Sequence, residues 1–91
     1  MSISSHVFTI INDKGLHARA SARFVEIVEK FECEVKVEKD GLEASGSSIM
    51  GLLMLAASKG TTIKVTSLGK DSAEMISALD TLINSKFGED N

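Results

Sequence analysis

Residues 15–21 read Gly15-Leu16-His17-Ala18-Arg19-Ala20-Ser21, a stretch that predicts a tight glycine-bearing turn running directly into a helix that begins near His17. The first turn of a helix has backbone N–H groups without partners and carries the positive end of the helix dipole, so it binds anions such as phosphate. A neutral imidazole is a good nucleophile at about pH 7, and a guanidinium offers several donors to phosphoryl oxygens. The stretch therefore predicts a site at which His17 and Arg19 handle a phosphoryl group.

The helix that follows is predicted to run from Ala18 to about Lys30. Its first turn stays open to partners, so the backbone of Ala18 and the hydroxyl of Ser21 are candidate contacts for the same anion. A purely structural interpretation, in which His17 ends a loop and Arg19 is a solvated charge, is not excluded by spacing alone. Apolar residues recur at helical spacing and predict one buried stripe: Ala20, Phe24, Ile27, Val28 and Phe31.

The rest of the chain supplies further strands and a last helix. Alternating or β-branched runs predict strands over residues 7–11, 33–38, 42–44 and 62–67, with Asp40 and Gly41 as a hairpin turn between the second and the third. Asp71 and Glu74 resemble a capping pair for the final helix. Its stripe is predicted to be Met75, Ala78, Leu79, Leu82 and Ile83. Residues 89–91 are predicted to form a short, frayed acidic tail.

A short helix is predicted after Gly46, and Ser47 or Ser48 is placed to cap it with a side-chain oxygen. The helix is more apolar than a single buried stripe requires, so some of its residues must face the core or another protein. Methionine suits surfaces that adapt to several partners. The candidate docking residues are Ile49, Met50, Leu52 and Leu53; the alternative is that all the apolar residues of this helix belong to the core.

Composition excludes several classes of function. The chain has 91 residues, a net charge of −3 and no basic cluster, which argues against nucleic acid as a partner. No apolar run is long enough to cross a bilayer and the N-terminus does not resemble a signal peptide, so a cytoplasmic protein is expected. A single cysteine, Cys33, and two widely spaced histidines make a poor metal site, and Cys33 is expected to be a small core residue. The other histidine, His6, is predicted to be a surface or edge residue.

The order strand, helix, strand, strand, helix, strand, helix predicts an α+β domain over residues 1–91. Connections this short favour an antiparallel four-stranded sheet with three helices on one face. The same pattern also permits a non-catalytic, ferredoxin-like ligand-sensing or regulatory module.

Two motifs, GLHARAS at 15–21 and SSIMGLLML at 47–55, carry a resemblance to the histidine-containing phosphocarrier (HPr) family of the bacterial phosphoenolpyruvate-dependent phosphotransferase system. The similarity extends over essentially the whole chain. It implies the open-faced β-sandwich of that family and a phosphoryl group accepted on Nδ1 of His17 from enzyme I and passed to enzyme IIA-type proteins. It also implies docking through the helix after Ser48 together with the His17 turn, no cofactor and a monomer.

The resemblance also includes a regulatory serine, and this sequence differs from the usual family pattern at one position of the first motif. The serine that matches Ser48 is a regulatory phosphorylation site in some family members, read by a dedicated serine kinase. Family members usually have proline after the arginine, where this chain has Ala20 and contains no proline at all. Because proline in the first helical turn presets φ, Ala20 is expected to leave the turn less rigid and to affect rate or partner preference. Sugar uptake and nitrogen-related regulation remain alternative roles.

Overall fold

The computed structural model describes residues 2–91 and has the order βαββαβα, followed by a short 3₁₀ turn at Lys86–Gly88. The strands are β1 (Ser2–Thr9), β2 (Glu34–Lys39), β3 (Leu42–Ser45) and β4 (Thr62–Gly69), and the helices are α1 (Ala18–Glu29), α2 (Ile49–Met54) and α3 (Ser72–Asn84). The predicted sequence of elements is confirmed.

The four strands form one antiparallel sheet in the order β1-β4-β2-β3. One face is apolar because every second residue of β2 and β4 is buried, as at Val37 and Val65, which lie opposite each other in the register. The alternate residues, such as Lys36 and Lys64, face solvent. The helices cover only the apolar face, which confirms the predicted open-faced α+β sandwich.

The core lies between the helices and this apolar face. Phe24 of α1 and Leu79 of α3 are fully buried, and so is Phe87, which follows α3 in the 3₁₀ turn. The predicted stripe of α1 is correct for Ala20, Phe24 and Val28, whereas Ile27 and Phe31 only border the core. Val25, which the pattern did not select, is buried as well.

Two local predictions at element boundaries are wrong. The first strand begins at Ser2, well before residue 7, because the start of the chain pairs with the end of β4, with Ser2 opposite Gly69. Asp71 does occupy the N-cap position of α3, but its side chain does not cap that helix. Its carboxylate accepts instead from the backbone N–H of Glu32, at 2.8 Å, so it joins two segments of the chain.

Among residues 2–91, no helix has the length and apolar character that a bilayer crossing requires.

Candidate functional site

The turn before α1 depends on Gly15. Its φ is +67°, a left-handed conformation that favours glycine, and its N–H donates to the carbonyl of Asn12 at 3.1 Å. A Cβ at this position would lie 2.5 Å from the carbonyl oxygen of Ala57. The next residue, Leu16, is buried and donates its N–H to that same oxygen at 2.9 Å. The turn is therefore packed directly on the segment that follows α2.

His17 is the N-cap residue of α1, as the sequence predicted. Its backbone is extended and its Nδ1 accepts from the N–H of Arg19 at 3.3 Å, while 25% of its side chain is exposed. The ring is thus reachable from solvent at the positive end of a helix dipole. The exposed Ala18 adds a backbone N–H that has no acceptor within residues 2–91.

Basic side chains line an open groove beside this helix end. Lys14, Arg19 and Arg23 lie along it, and its other wall is formed by the last residues of the chain. Arg19 is exposed and forms no ion pair with any residue from 2 to 91. Its guanidinium is therefore free to contact an incoming anion or partner.

The acidic tail is not frayed, and that prediction is wrong. The backbone oxygen of Asn91 accepts from the N–H of Asp13 at 3.0 Å, which holds residues 89–91 against the His17 turn. Arg23 donates to the carbonyl of the buried Phe87. Between these two contacts, the carboxylate of Glu89 reaches Nε2 of His17. Residues 87–91 are therefore part of the site.

Asn12 connects Glu89 to the turn. Its side chain is fully buried, and its Nδ2 donates to Oε1 of Glu89 at 2.9 Å and to the carbonyl of Gly15 at 2.8 Å. The sequence did not indicate either residue, because Asn12 looked like an ordinary turn residue and Glu89 lies 72 positions from His17. The only sequence feature that could have indicated this contact is the acidic pair Glu89 and Asp90, directly after Gly88.

The surroundings of Glu89 favour its charged form. Burial alone would raise the pKa of this carboxyl, but hydrogen bonds from Asn12 and His17, the charge of His17 when its ring is protonated and the charge of Lys14 outweigh burial and lower it. Because the folded pKa is depressed, the associated stability is present above the ordinary glutamate pKa and is lost as the pH falls through the lowered value. At neutral pH the site therefore contains a carboxylate.

Ser21 does not contact the anion site, contrary to the sequence prediction. It is fully buried, and its hydroxyl donates to the carbonyl of Leu16 at 3.3 Å. The residue lies on the inner face of α1, one turn beyond His17, so it stabilises the start of the helix.

Of the two serines predicted as possible caps of α2, it is Ser48 that caps the helix, by accepting from the N–H of Gly51 at 2.9 Å. The candidate docking residues separate into two groups. Leu52 is fully buried in the core, so its predicted docking role is wrong, and Leu53 is partly buried. Ile49 and Met50 are exposed, by 41% and 68% respectively. Met54, which was not predicted to dock, is 75% exposed.

The remaining candidate reactive side chains lie apart from this site. His6 is exposed on the edge strand β1, where its ring packs against Phe8 with centroids 4.5 Å apart, as its predicted surface position requires. Cys33 is partly buried just before β2, where it borders the core. Residues 2–91 contain no cluster of His, Cys, Asp or Glu that could hold a metal ion.

Comparison with known proteins identifies the family. A family model described as the PTS HPr component phosphorylation site matches residues 4–85. The phosphocarrier protein HPr of Neisseria meningitidis (serogroup A) is 52% identical over 80 residues, covering 88% of this chain and 90% of the relative. The phosphocarrier protein NPr of Shewanella violacea is 36% identical over 81 residues, covering 89% of each chain.

A solved structure agrees with these sequence matches. The crystal structure of HPr-C-His from Thermoanaerobacter tengcongensis superimposes with a TM-score of 0.92 at 42% identity, covering 97% of this chain and 99% of that one. This match favours the phosphocarrier fold over the ferredoxin-like alternative. Sequence and structure together show that the chain belongs to the HPr family of phosphocarrier proteins of the phosphotransferase system.

Proposed function

We propose that His17 accepts a phosphoryl group from a phosphorylated histidine of enzyme I and passes it to enzyme IIA-type proteins. One observation carries this proposal: a partly exposed imidazole caps a helix N-terminus beside an unpaired guanidinium, that of Arg19. This arrangement supplies a nucleophile, backbone N–H donors and a fixed positive charge at one point of the surface. Phosphoryl transfer needs mainly such positioning and charge stabilisation.

In the proposed transfer, Nδ1 of His17 gives up its weak hydrogen bond from the N–H of Arg19 and attacks phosphorus in line with the bond to the donor nitrogen. A new N–P bond forms at Nδ1, the donor N–P bond breaks, and its electron pair returns to the donor imidazole. Arg19 and the N–H of Ala18 contact the phosphoryl oxygens as charge shifts between the two rings. His17 then carries a transient phosphohistidine, so the chain is a carrier and needs no cofactor of its own.

We propose that partners dock on the exposed apolar residues of α2 together with the His17 turn. The end of α2 lies close to the turn, because Ala56 and Ala57, shortly after α2, line the same shallow depression as His17. Ile49, Met50 and Met54 supply the exposed apolar area. Methionine side chains repack readily, which suits a carrier that must bind a donor and several acceptors in turn.

We propose that the carrier acts as a monomer, because a single chain supplies every group of the site. We also propose that it works in the cytoplasm. The carrier works either in the branch of the phosphotransferase system that takes up sugars or in the branch that regulates nitrogen metabolism. The named relatives include both an HPr and an NPr. Relative rates with the enzyme I of each branch distinguish these roles.

The test is incubation of the purified chain with enzyme I and phosphoenolpyruvate, followed by intact mass measurement. We expect a gain of one phosphate that is lost in acid and retained in base, mapped by peptide sequencing to His17. A regulatory binding module would take up no phosphate. An acid-stable phosphate, or one mapped to another residue, would contradict the proposal.

Substitution of Arg19 tests its role in charge stabilisation. Arg19→Ala is expected to slow phosphoryl transfer from enzyme I by about 100-fold, because a donor aimed at the transferring group is lost. Rapid-quench measurement of single-turnover rates gives the comparison. Lys30→Ala, which removes an exposed charge just after the C-terminal end of the same helix, is the matched control and should transfer at the wild-type rate. Equal rates for the two variants would show that Arg19 has no such role.

We further propose that Ser48 is a regulatory phosphorylation site for a serine kinase. A negative charge is tolerated at the N-cap of α2, but it must be desolvated when a partner covers the adjacent apolar surface. Ser48→Asp is therefore expected to fold normally by circular dichroism and to accept phosphate from enzyme I about 10-fold more slowly. Ser47→Asp places the same charge one residue away on an exposed position. If both variants react alike, Ser48 has no special regulatory position.

A further inference from the structure

A chain of hydrogen bonds runs from the protein interior to the His17 ring. Asn12 is fully buried and its amide nitrogen is fixed by the carbonyl of Gly15 at 2.8 Å. The same nitrogen donates to Oε1 of Glu89 at 2.9 Å, and Oε2 of Glu89 contacts Nε2 of His17. The imidazole is therefore in contact with a carboxylate that is itself oriented by a buried amide.

The two ring nitrogens of His17 have opposite partners. Nδ1 faces a donor, the N–H of Arg19, whereas Nε2 faces an acceptor, the carboxylate of Glu89. A neutral imidazole has one protonated and one unprotonated nitrogen, and the group that each nitrogen contacts selects between the two forms. Both contacts select the form with the proton on Nε2 and the lone pair on Nδ1.

We propose that Glu89 is a positioning residue that keeps the proton of His17 on Nε2 and so presents the Nδ1 lone pair to phosphorus. The inference rests on the proposed function, in which His17 is the phosphoryl acceptor. An acid that orients a catalytic imidazole through its second nitrogen is a recurring device in enzymes. In this chain the acid comes from the C-terminal segment.

The position of Glu89 is determined by contacts on both sides of it along the chain. Before it, Phe87 is fully buried and its carbonyl accepts from Arg23. After it, the backbone oxygen of Asn91 accepts from the N–H of Asp13 at 3.0 Å. The carboxylate is only 15% exposed. In a frayed tail the side chain of Glu89 would lie in solvent. Its burial and the contacts on either side of it instead hold the carboxylate against His17.

The chemistry of the transfer explains what the carboxylate contributes. When Nδ1 forms its bond to phosphorus and the donor N–P bond breaks, positive charge develops on the His17 ring while its Nε2 proton stays in place. The carboxylate of Glu89 stabilises that charge from the side of the ring away from the phosphoryl group. The donor ring carries a proton on its other nitrogen, so it receives the electron pair of the broken bond and leaves as a neutral imidazole. The positive charge passes from the donor ring to the His17 ring, and no proton has to move.

The experiment measures the ring form and the transfer rate separately. Nitrogen NMR of ¹⁵N-labelled protein at about pH 9, where free imidazoles are neutral, reports which nitrogen of His17 carries the proton. In the wild type we expect a protonated Nε2 and an unprotonated Nδ1. In Glu89→Ala we expect a mixture of both forms and single-turnover phosphorylation by enzyme I about 10-fold slower. Glu89→Gln keeps an acceptor oxygen and should restore the wild-type ring form with an intermediate rate.

Asp90→Ala is the matched control, because it removes the neighbouring, exposed acid. It should leave both the ring spectrum and the rate unchanged. Wild-type nitrogen shifts in Glu89→Ala, or a rate equal to that of Asp90→Ala, would overturn the proposal for Glu89. Failure of the wild type itself to take up phosphate would refute the carrier role of His17, and the nitrogen spectra would still report on Glu89.

Discussion

The variant His17→Ala is expected to take up no phosphate from enzyme I and phosphoenolpyruvate, a decrease of about 10⁴-fold or more, as is typical when a covalent nucleophile is removed. Intact mass spectrometry at alkaline pH, which preserves phosphohistidine, measures the loss. Circular dichroism should show a folded protein, because the partly exposed His17 side chain lies outside the hydrophobic core and contributes only a weak capping bond to α1 and its contact with Glu89.

The chain offers a matched control for this variant. His6 is the other histidine, and it lies exposed on the edge strand β1. His6→Ala should accept phosphate at the wild-type rate and to the same extent. Undiminished phosphate on His17→Ala, or its loss from His6→Ala, would mean that the acceptor has been assigned to the wrong residue.

Replacing Gly15 with alanine should produce a large loss of stability. The left-handed φ of +67° costs a side-chain-bearing residue about 1–2 kcal/mol. The new Cβ would also lie 2.5 Å from the carbonyl oxygen of Ala57, which is backbone and cannot move aside as a side chain does. Together these effects should lower the free energy of unfolding by roughly 2–4 kcal/mol, as measured by urea denaturation followed by circular dichroism.

Gly60→Ala separates the two contributions to this loss. Gly60 also has a positive φ, of +90°, but a Cβ there would meet nothing within 4 Å. This variant should therefore show only the conformational cost, about 1–2 kcal/mol. If Gly15→Ala is no less stable than Gly60→Ala, the close packing of the His17 turn on Ala57 does not limit stability.

The parts of the site that were predicted from sequence are those determined by neighbours along the chain. Gly15, His17 and Arg19 lie within one turn and the start of one helix, so spacing alone placed them at a helix N-terminus. Ser48 was equally local, because a cap bonds to an N–H three residues away. The approximate positions of the strands along the chain followed from alternating or β-branched runs, whereas their order in the sheet, β1-β4-β2-β3, was not predicted.

The wrong predictions concern residues whose partners are distant in sequence. A short, almost wholly apolar helix has no polar face to indicate its orientation, so the sequence did not distinguish the buried Leu52 from the exposed Met54. Asp71 has the right spacing for a capping pair, yet a backbone N–H from another segment, at Glu32, is its actual partner. Ser21 lies one turn from His17, but packing turns it inward.

By itself the sequence determined the order of the elements and the position of an imidazole and a guanidinium at the start of α1, because these follow from local hydrogen bonding and from the period of apolar residues. Only the tertiary structure decided that Glu89 lies against that imidazole and that Asn12 orients it. Those contacts join residues more than 70 positions apart, and they form only when burial of Phe87 brings the end of the chain back to the turn.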